Sequence, residues 1–279
     1  TLKIKHMAVP LLVTFTSVLM STNCYKLVTM SPLNIDVLCD FLNTTQGLDK
    51  LYRLLSYFSK LLAALLPNGT VLADSLTRLG KNLSHTRTVM RLVGLLHNLR
   101  LCKEFNSSGN DWKTFKGLTR ILTNFTYLPC DHFAWMGREE IVGFDSETIG
   151  WFGRTSSQSW LLGLIVEMID LQKCTKEAMI KFNQNLQMGR LGLKGSLKEM
   201  KKDVAPLVAK SLLIAGDFPL AVNYSLVKPF MSPLMVGVCG TTSSVAALYL
   251  RWKSFKNEKK LSSDLENYEK FIIKDSPEQ

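Results

Sequence analysis

Apolar residues recur every three or four positions along most of this chain, which is the period of a helix rather than of a strand. Leu48, Leu51, Leu54, Leu55, Phe58, Leu61, Leu62 and Leu65 form one stripe, with Lys50, Arg53 and Lys60 off it. This predicts a strongly amphipathic helix between the Gly47 break and the Pro67-Asn68-Gly69 turn. Upstream, Ile35, Leu38 and Leu42 share a face behind Asn34, a suitable helix cap. Downstream, a single helix is expected over Leu72–Leu101. Its first part has two faces: Leu76, Leu79, Leu83, Met90 and Val93 on one, and Arg78, Lys81, His85, Arg87 and Arg91 over the rest, with Ser84 and Thr88. Pattern alone leaves two readings open. A basic amphipathic helix can lie among lipid headgroups, or it can pack on neighbouring helices and keep a solvated basic side.

Residues 106–111 read as a loop by composition, and a mixed helix is expected from there to Tyr127. Residues 137–150 read as a connection containing glycine and acidic residues. Trp160–Leu171 is very apolar but short for a span, and it carries Glu167 and Asp170; it crosses a bilayer only if its helix begins near Ile149 and tilts. The stretch 172–203 is polar and turns basic, and is expected as a loop or surface helix. Pro206–Tyr224 is semi-apolar with Lys210 and Asp217 inside it, so it is expected packed on protein or at an interface.

Pro233–Leu250 is the clearest span: about 18 uncharged residues, followed at once by Arg251-Trp252-Lys253 and further lysines. An aromatic and cations at the end of an apolar run form an interfacial anchor. Gly237, Gly240 and Ser244 offer a small-residue face for helix packing. The chain therefore reads as all-α, a helical membrane protein with N-terminal amphipathic helices and a C-terminal hairpin of hydrophobic helices. Its expected regions are an apolar extension at 1–29, an amphipathic region at 34–127, and a connection with the first hydrophobic segment at 128–172. A basic loop with a semi-apolar helix follows at 173–232, then a transmembrane helix at 233–252 and a charged tail at 253–279 expected to fray. The run Met7–Met20 behind Lys3, Lys5 and His6 imitates a signal peptide, but Met30-Ser31-Pro32 would make a natural start; residues 1–29 are read as an upstream extension, with a membrane anchor as the alternative.

A net charge of +11 favours anionic partners. Nucleic acid is disfavoured, because the charge alternates with long apolar faces and no reading motif is present. The six cysteines form no CxxC pair and have no zinc-ligand spacing with the histidines. Cys130 and His132 lack a third ligand and a base-orienting partner, so a structural role is expected. The six N-x-S/T sequons, several inside expected helices, read as chance matches. No phosphate-binding glycine loop, nucleophile elbow or HExxH occurs. No catalytic set, metal site or cofactor is expected.

Four blocks in order carry a family resemblance. They are Phe41-Leu42 with Gly47–Tyr57 (GLDKLYRLLSY), Leu83–Leu92 (LSHTRTVMRL), Tyr127–Trp135 (YLPCDHFAW) with Trp151 and Trp160–Leu164, and Val236–Ser244 (VGVCGTTSS). Together they resemble the peroxin eleven family of peroxisomal membrane proteins, and PCDHFAW and LSHTRT are most similar to its gamma-type branch. The resemblance covers about residues 34–252. It implies a protein that elongates the peroxisomal membrane ahead of fission and so controls peroxisome size and number. It implies that the second amphipathic helix is the remodelling element, with Leu76, Leu79, Leu83 and Met90 entering one leaflet and Arg78, Lys81, His85, Arg87 and Arg91 meeting anionic phospholipid. Implied partners are further copies or other family members, a fission adaptor and a dynamin-like GTPase. The implied location is the peroxisome membrane, multi-pass, with both termini cytosolic. The alternative is a metabolite channel, for which Lys210 and Asp217 would be the lining candidates.

Overall fold

The computed structural model describes residues 35–67, 69–92, 94–105, 111–187 and 193–274. The expectations for 1–29 and for the Asn34 cap lie outside the described residues. The chain separates into two units, ending at Leu42 and beginning at Asn43. The described part of the first is one short helix, α1 (Ile35–Leu42).

The second unit contains α2 (Thr45–Leu65), α3 (Val71–Met90), α4 (Gly94–Glu104), α5 (Asp111–Arg138), α6 (Ser146–Gln187), α7 (Leu193–Ser225) and α8 (Pro233–Lys274). No strand occurs among the described residues. The all-α expectation is met. Helix starts are set by short polar side chains that accept otherwise unpaired N–H groups. Thr44 Oγ1 accepts from Gly47 N at 3.0 Å, and Thr70 Oγ1 from Ala73 N at 3.3 Å. Asp145 Oδ1 accepts from Thr148 N at 3.3 Å at the start of α6. Gly69 supplies the left-handed backbone (φ +80°) of the α2–α3 turn.

Packing runs in a closed circuit: α3 on α2, α2 on α8, α8 on α7, α7 on α6, α6 on α5, and α5 back on α3. Leu164, Ile214 and Ala221, with Trp160, Leu161, Met168, Leu171 and Leu213 around them, form the apolar contact between α6 and α7. The turn between α7 and α8 is tied by Asn223, whose Oδ1 accepts from Phe230 N at 2.8 Å and Met231 N at 2.9 Å. Val204–Ser225 in α7 and Pro233–Leu265 in α8 are each long and apolar enough to cross a membrane. They form a C-terminal hydrophobic hairpin as the fold class expects, but its first arm is the segment expected packed on protein or at an interface, Pro206–Tyr224, rather than Trp160–Leu171.

Three local expectations change. The helix expected over Leu72–Leu101 is two helices, because the chain turns at Arg91–Leu92. Gly94, at the start of α4, comes so close to α5 that a Cβ there would lie 3.3 Å from Leu128 Cδ1. Helix α5 does not end at Tyr127 but runs through Pro129 to Arg138. Proline removes one donor there, and packing on α6 and α3 outweighs that loss. Over 172–203, expected as a loop or surface helix, the helix is found: α6 runs to Gln187 and α7 begins at Leu193. The charged tail is helical as far as Lys274.

Candidate functional site

A half-open chamber of about 900 Å³ lies between α2, α3, α5 and α6. Its wall begins on α2, where Asp49, Arg53 and Tyr57 stand four residues apart and so share one face. Arg53 lies 5.9 Å and Lys60 5.0 Å from the Tyr57 ring centre, both placed for cation–π attraction. Ser84 and Arg87 of α3 and Arg91 at its C-terminal cap face the same space, as do Asn124, Tyr127 and Asp131 of α5. Helix α6 contributes Gly150, Gly153, Ser156 and Ser157, and α7 contributes Tyr224.

Ion pairs join these elements. Arg87 Nε donates to Asp49 Oδ1 at 3.0 Å, linking α3 to α2. Arg91 donates to the Tyr127 hydroxyl, and its Nη2 lies 3.1 Å from Asp131 Oδ2, linking α3 to α5. Arg53 pairs with Asp217 of α7 and also donates to Ser243 Oγ of α8 at 3.0 Å. On the far side, Lys210 meets Glu167 at 2.6 Å and Asp170 at 3.1 Å, while Lys116 meets Asp170 at 2.9 Å. His132 is buried, with Nε2 3.0 Å from the Thr88 carbonyl oxygen. It serves packing between α5 and α3.

The charges perturb one another. Burial alone would raise the Asp49 pKa, but Arg87 and Lys50, with Arg91 behind them, hold it well below the usual carboxylate range. Burial lowers the Lys60 pKa, and Arg87 adds to that. Burial likewise raises the Tyr57 phenol.

The outer surface is different. Phe115, Leu118, Leu122, Phe125 and Phe133 are exposed along α5, and Trp151, Leu162, Ile165 and Ile169 along α6. Leu226, Val227, Phe230, Leu234, Met235 and Val238 are exposed around the α7–α8 turn. Buried polar side chains include Asp49, Ser56, Asn98, Thr123, Ser156, Asp170, Asp217, Asn223 and Ser243. Polar residues inside and apolar residues outside suit a lipid surrounding, where interior polar groups pair with one another.

The residues singled out on α3 divide into two sets. Arg78 and Lys81 are exposed, as is Leu79, and Leu76, Leu83 and Met90 are half-buried. His85 is half-buried and lies 3.1 Å from Glu139. Arg87 and Arg91 face the chamber, not the outer surface, because Asp49, Asp131 and Tyr127 draw them inward. On α8, a Cβ at Gly237 would lie 2.7 Å from Leu61 Cα, and one at Gly240 would overlap the Tyr57 ring. Ser244 Oγ donates to the Gly240 carbonyl at 2.5 Å. The small-residue face thus receives α2 of the same chain. Lys210 and Asp217 are held in ion pairs and do not line the chamber. Asp49, Arg53, Tyr127 and Asp131 were not singled out from the sequence. The Asp49/Arg53/Tyr57 spacing was the available signal, since a polar ladder beside an apolar stripe needs a polar partner.

A model of the family described as Peroxisomal biogenesis factor 11 (PEX11) matches residues 35–252, which include the whole chamber. The chain belongs to this family. Peroxisomal membrane protein 11C of Homo sapiens is 25% identical over 238 residues, covering 76% of this chain and 92% of its own length. Peroxisomal membrane protein 11C of Mus musculus is 25% identical over 213 residues, covering 71% of this chain and 86% of its own length. No solved structure matches the chain. Among the described residues of this PEX11 family member, no three His, Cys, Asp or Glu side chains converge as metal ligands would.

Proposed function

We propose that this protein is a multi-pass protein of the peroxisomal membrane that elongates the membrane ahead of fission and so sets peroxisome size and number. Its relatives are named as peroxisomal membrane proteins, and its family as a biogenesis factor. The observation that carries the mechanism is the outer side of α3. Leu72 and Leu79, seven residues apart, stay exposed on one line of the helix, and Arg78 and Lys81 stay exposed further round it. Such a helix inserts its apolar line into one leaflet and holds anionic headgroups with its cations, each cation contributing about 1 kcal/mol near the surface. Self-association, with further copies or other family members, gathers these wedges until the leaflet bends. A fission adaptor and a dynamin-like GTPase then act on the elongated membrane. The α7–α8 hairpin returns the chain to the side it entered from, so both termini face the cytosol.

The test uses the full chain reconstituted in anionic vesicles and examined by electron microscopy. Tubules are expected from the wild type. Arg78→Glu/Lys81→Glu and Leu72→Ser/Leu79→Ser should each insert normally and leave the vesicles round. Tubulation unchanged in both variants would sink the wedge mechanism.

A second reading, a channel for small metabolites, is favoured by one observation: a polar chamber inside a bundle whose exterior is apolar. Conductance in planar bilayers tests it. Its lining would be the chamber residues rather than Lys210 and Asp217.

A further inference from the structure

The charge on the chamber wall does not balance. Of its cations, Arg87 and Lys50 share Asp49, Arg91 is opposite Asp131, Arg53 holds Asp217, and Lys116 holds Asp170. Arg120, Arg138 and Arg154 also line it, and among the described residues no carboxylate pairs with any of the three. Two of these meet at one place. Arg154 extends along its own helix, and its Nη1 would lie 3.0 Å from a Cβ at Gly150. Arg138 reaches across from the end of α5, and its Nη1 would lie 3.9 Å from a Cβ at Gly153. Gly150 and Gly153 are one turn apart, so both guanidinium groups come to the same bare ridge of α6. Ser156 and Ser157 continue the wall, and Ser157 Oγ donates to the Gly153 carbonyl at 2.9 Å.

Two guanidinium groups without counter-charge repel each other, and a fold gains nothing by gathering them unless something anionic comes between them. Guanidinium groups match phosphate oxygens with paired N–H donors, and hydroxyls supply further donors. Glycines on the ridge leave room where side chains would fill it. We propose that this end of the chamber, formed by Arg138, Arg154, Gly150 and Gly153, binds a phosphate-bearing anion, with Arg91 and Ser157 within the same wall. The ligand is a phosphate ester, arriving either as a soluble polyphosphate compound or as the headgroup of a phosphorylated lipid. Gly150, Gly153 and Arg154 are half-buried, and Arg138 reaches in from the exposed end of α5; the site does not rest on the wedge reading, which uses the outer side of α3.

The experiment uses the full chain in neutral detergent micelles and follows thermal unfolding and calorimetric binding. One arm adds inorganic pyrophosphate, against sodium chloride at equal ionic strength. A second arm adds phosphatidylinositol phosphate to the micelles, against phosphatidylcholine. At least one phosphate source should raise Tm well beyond its control, and binding should weaken about tenfold or more in Arg138→Gln/Arg154→Gln. Lys103→Gln/Lys176→Gln, which lowers the net charge equally at exposed positions away from the chamber, should bind as the wild type does. Without ligand, Arg138→Gln/Arg154→Gln should be no less stable than the wild type, since it removes repulsion and no ion pair. Stabilisation in the first arm alone assigns a soluble ligand, and in the second alone a lipid headgroup. No stabilisation by either source, or equal stabilisation of wild type and Arg138→Gln/Arg154→Gln, overturns the proposal.

Discussion

Arg53 of α2 is ion-paired with Asp217 of α7, so a charge inside a span-length helix is neutralised by a neighbouring helix rather than by water. Both side chains are nearly excluded from solvent, at 12% and 4% exposure. Removing one partner of a buried pair strands the other charge, which costs about 3–5 kcal/mol, whereas replacing both by apolar groups is often close to neutral. Arg53→Ala and Asp217→Ala should each lower Tm sharply in micelles. Arg53→Leu/Asp217→Leu should recover most of the loss. A double variant as unstable as the worse single one would show that the pair does not act as a unit.

The approach of α2 to α8 rests on the missing side chain at Gly240. Helix α2 runs antiparallel to α8, with Leu61 opposite Gly237, Tyr57 opposite Gly240 and Arg53 opposite Ser243. Gly240→Leu should force the helices apart and make α2 accessible to protease. Tyr57→Ala alone should also destabilise, by leaving a cavity. Combining the two should restore protection above the level of either single variant, because the new side chain then has somewhere to go. Protection no better in the pair than in Gly240→Leu would argue against this contact.

The hairpin, the helical class and the stripe on α2 were legible because each depends on local period and length. The partners of the off-stripe residues were not. Arg87 and Arg91 read as a solvated or lipid-facing surface, since nothing within their own helix shows that Asp49, Asp131 and Tyr127 lie across from them. Asp217 lies on a segment expected to pack on protein or at an interface, but its partner, 164 positions away, was not legible, which left it a lining candidate under the channel alternative. The helix expected to end at Tyr127 continues through Pro129, and tertiary packing carries it past the proline. The chamber is a product of packing α2, α3, α5 and α6 together, and no single segment encodes it.

Asp49 sets the acid limit of the α2–α3 contact. Its folded pKa is depressed, so its stabilising contribution is complete above the unfolded value of about 3.9 and is lost as pH falls through the lower folded value. The wild type should lose stability steeply below about pH 4. Asp49→Asn should be less stable at neutral pH and show a flatter acid limb. Parallel acid limbs for the two proteins would remove Asp49 from the account.

Glu140 ends α5 in the left-handed region, at φ 58°, where Ile141 N closes back on the Met136 carbonyl at 2.9 Å. This is the position glycine commonly takes, and a side chain there costs about 1 kcal/mol or more. Glu140→Gly should therefore raise stability by roughly 1 kcal/mol, seen as a higher unfolding midpoint. No gain, or a loss, would show that the Glu140 side chain contributes an interaction of its own.

The inward turn of Arg87 and Arg91 predicts opposite behaviour from two pairs of cations on one helix. Arg78 and Lys81 are exposed, and reversing their charge changes only what α3 meets outside. Arg87 Nε is 3.0 Å from Asp49, and a glutamate at 87 would set two carboxylates face to face within a site of low exposure. A glutamate at 91 would do the same to Asp131 and abandon the Tyr127 hydroxyl. Arg87→Glu/Arg91→Glu should therefore unfold or release α3 at any lipid composition, with a loss of several kcal/mol. Arg78→Glu/Lys81→Glu should melt as the wild type does and differ only in binding anionic vesicles. Raising salt should weaken that vesicle binding in the wild type while leaving the buried pairs largely intact, since screening acts on exposed charges first. If Arg87→Glu/Arg91→Glu keeps the wild-type Tm and loses only lipid binding, the two arginines belong to the outer surface and the ion pairs drawn here do not hold α3 in place.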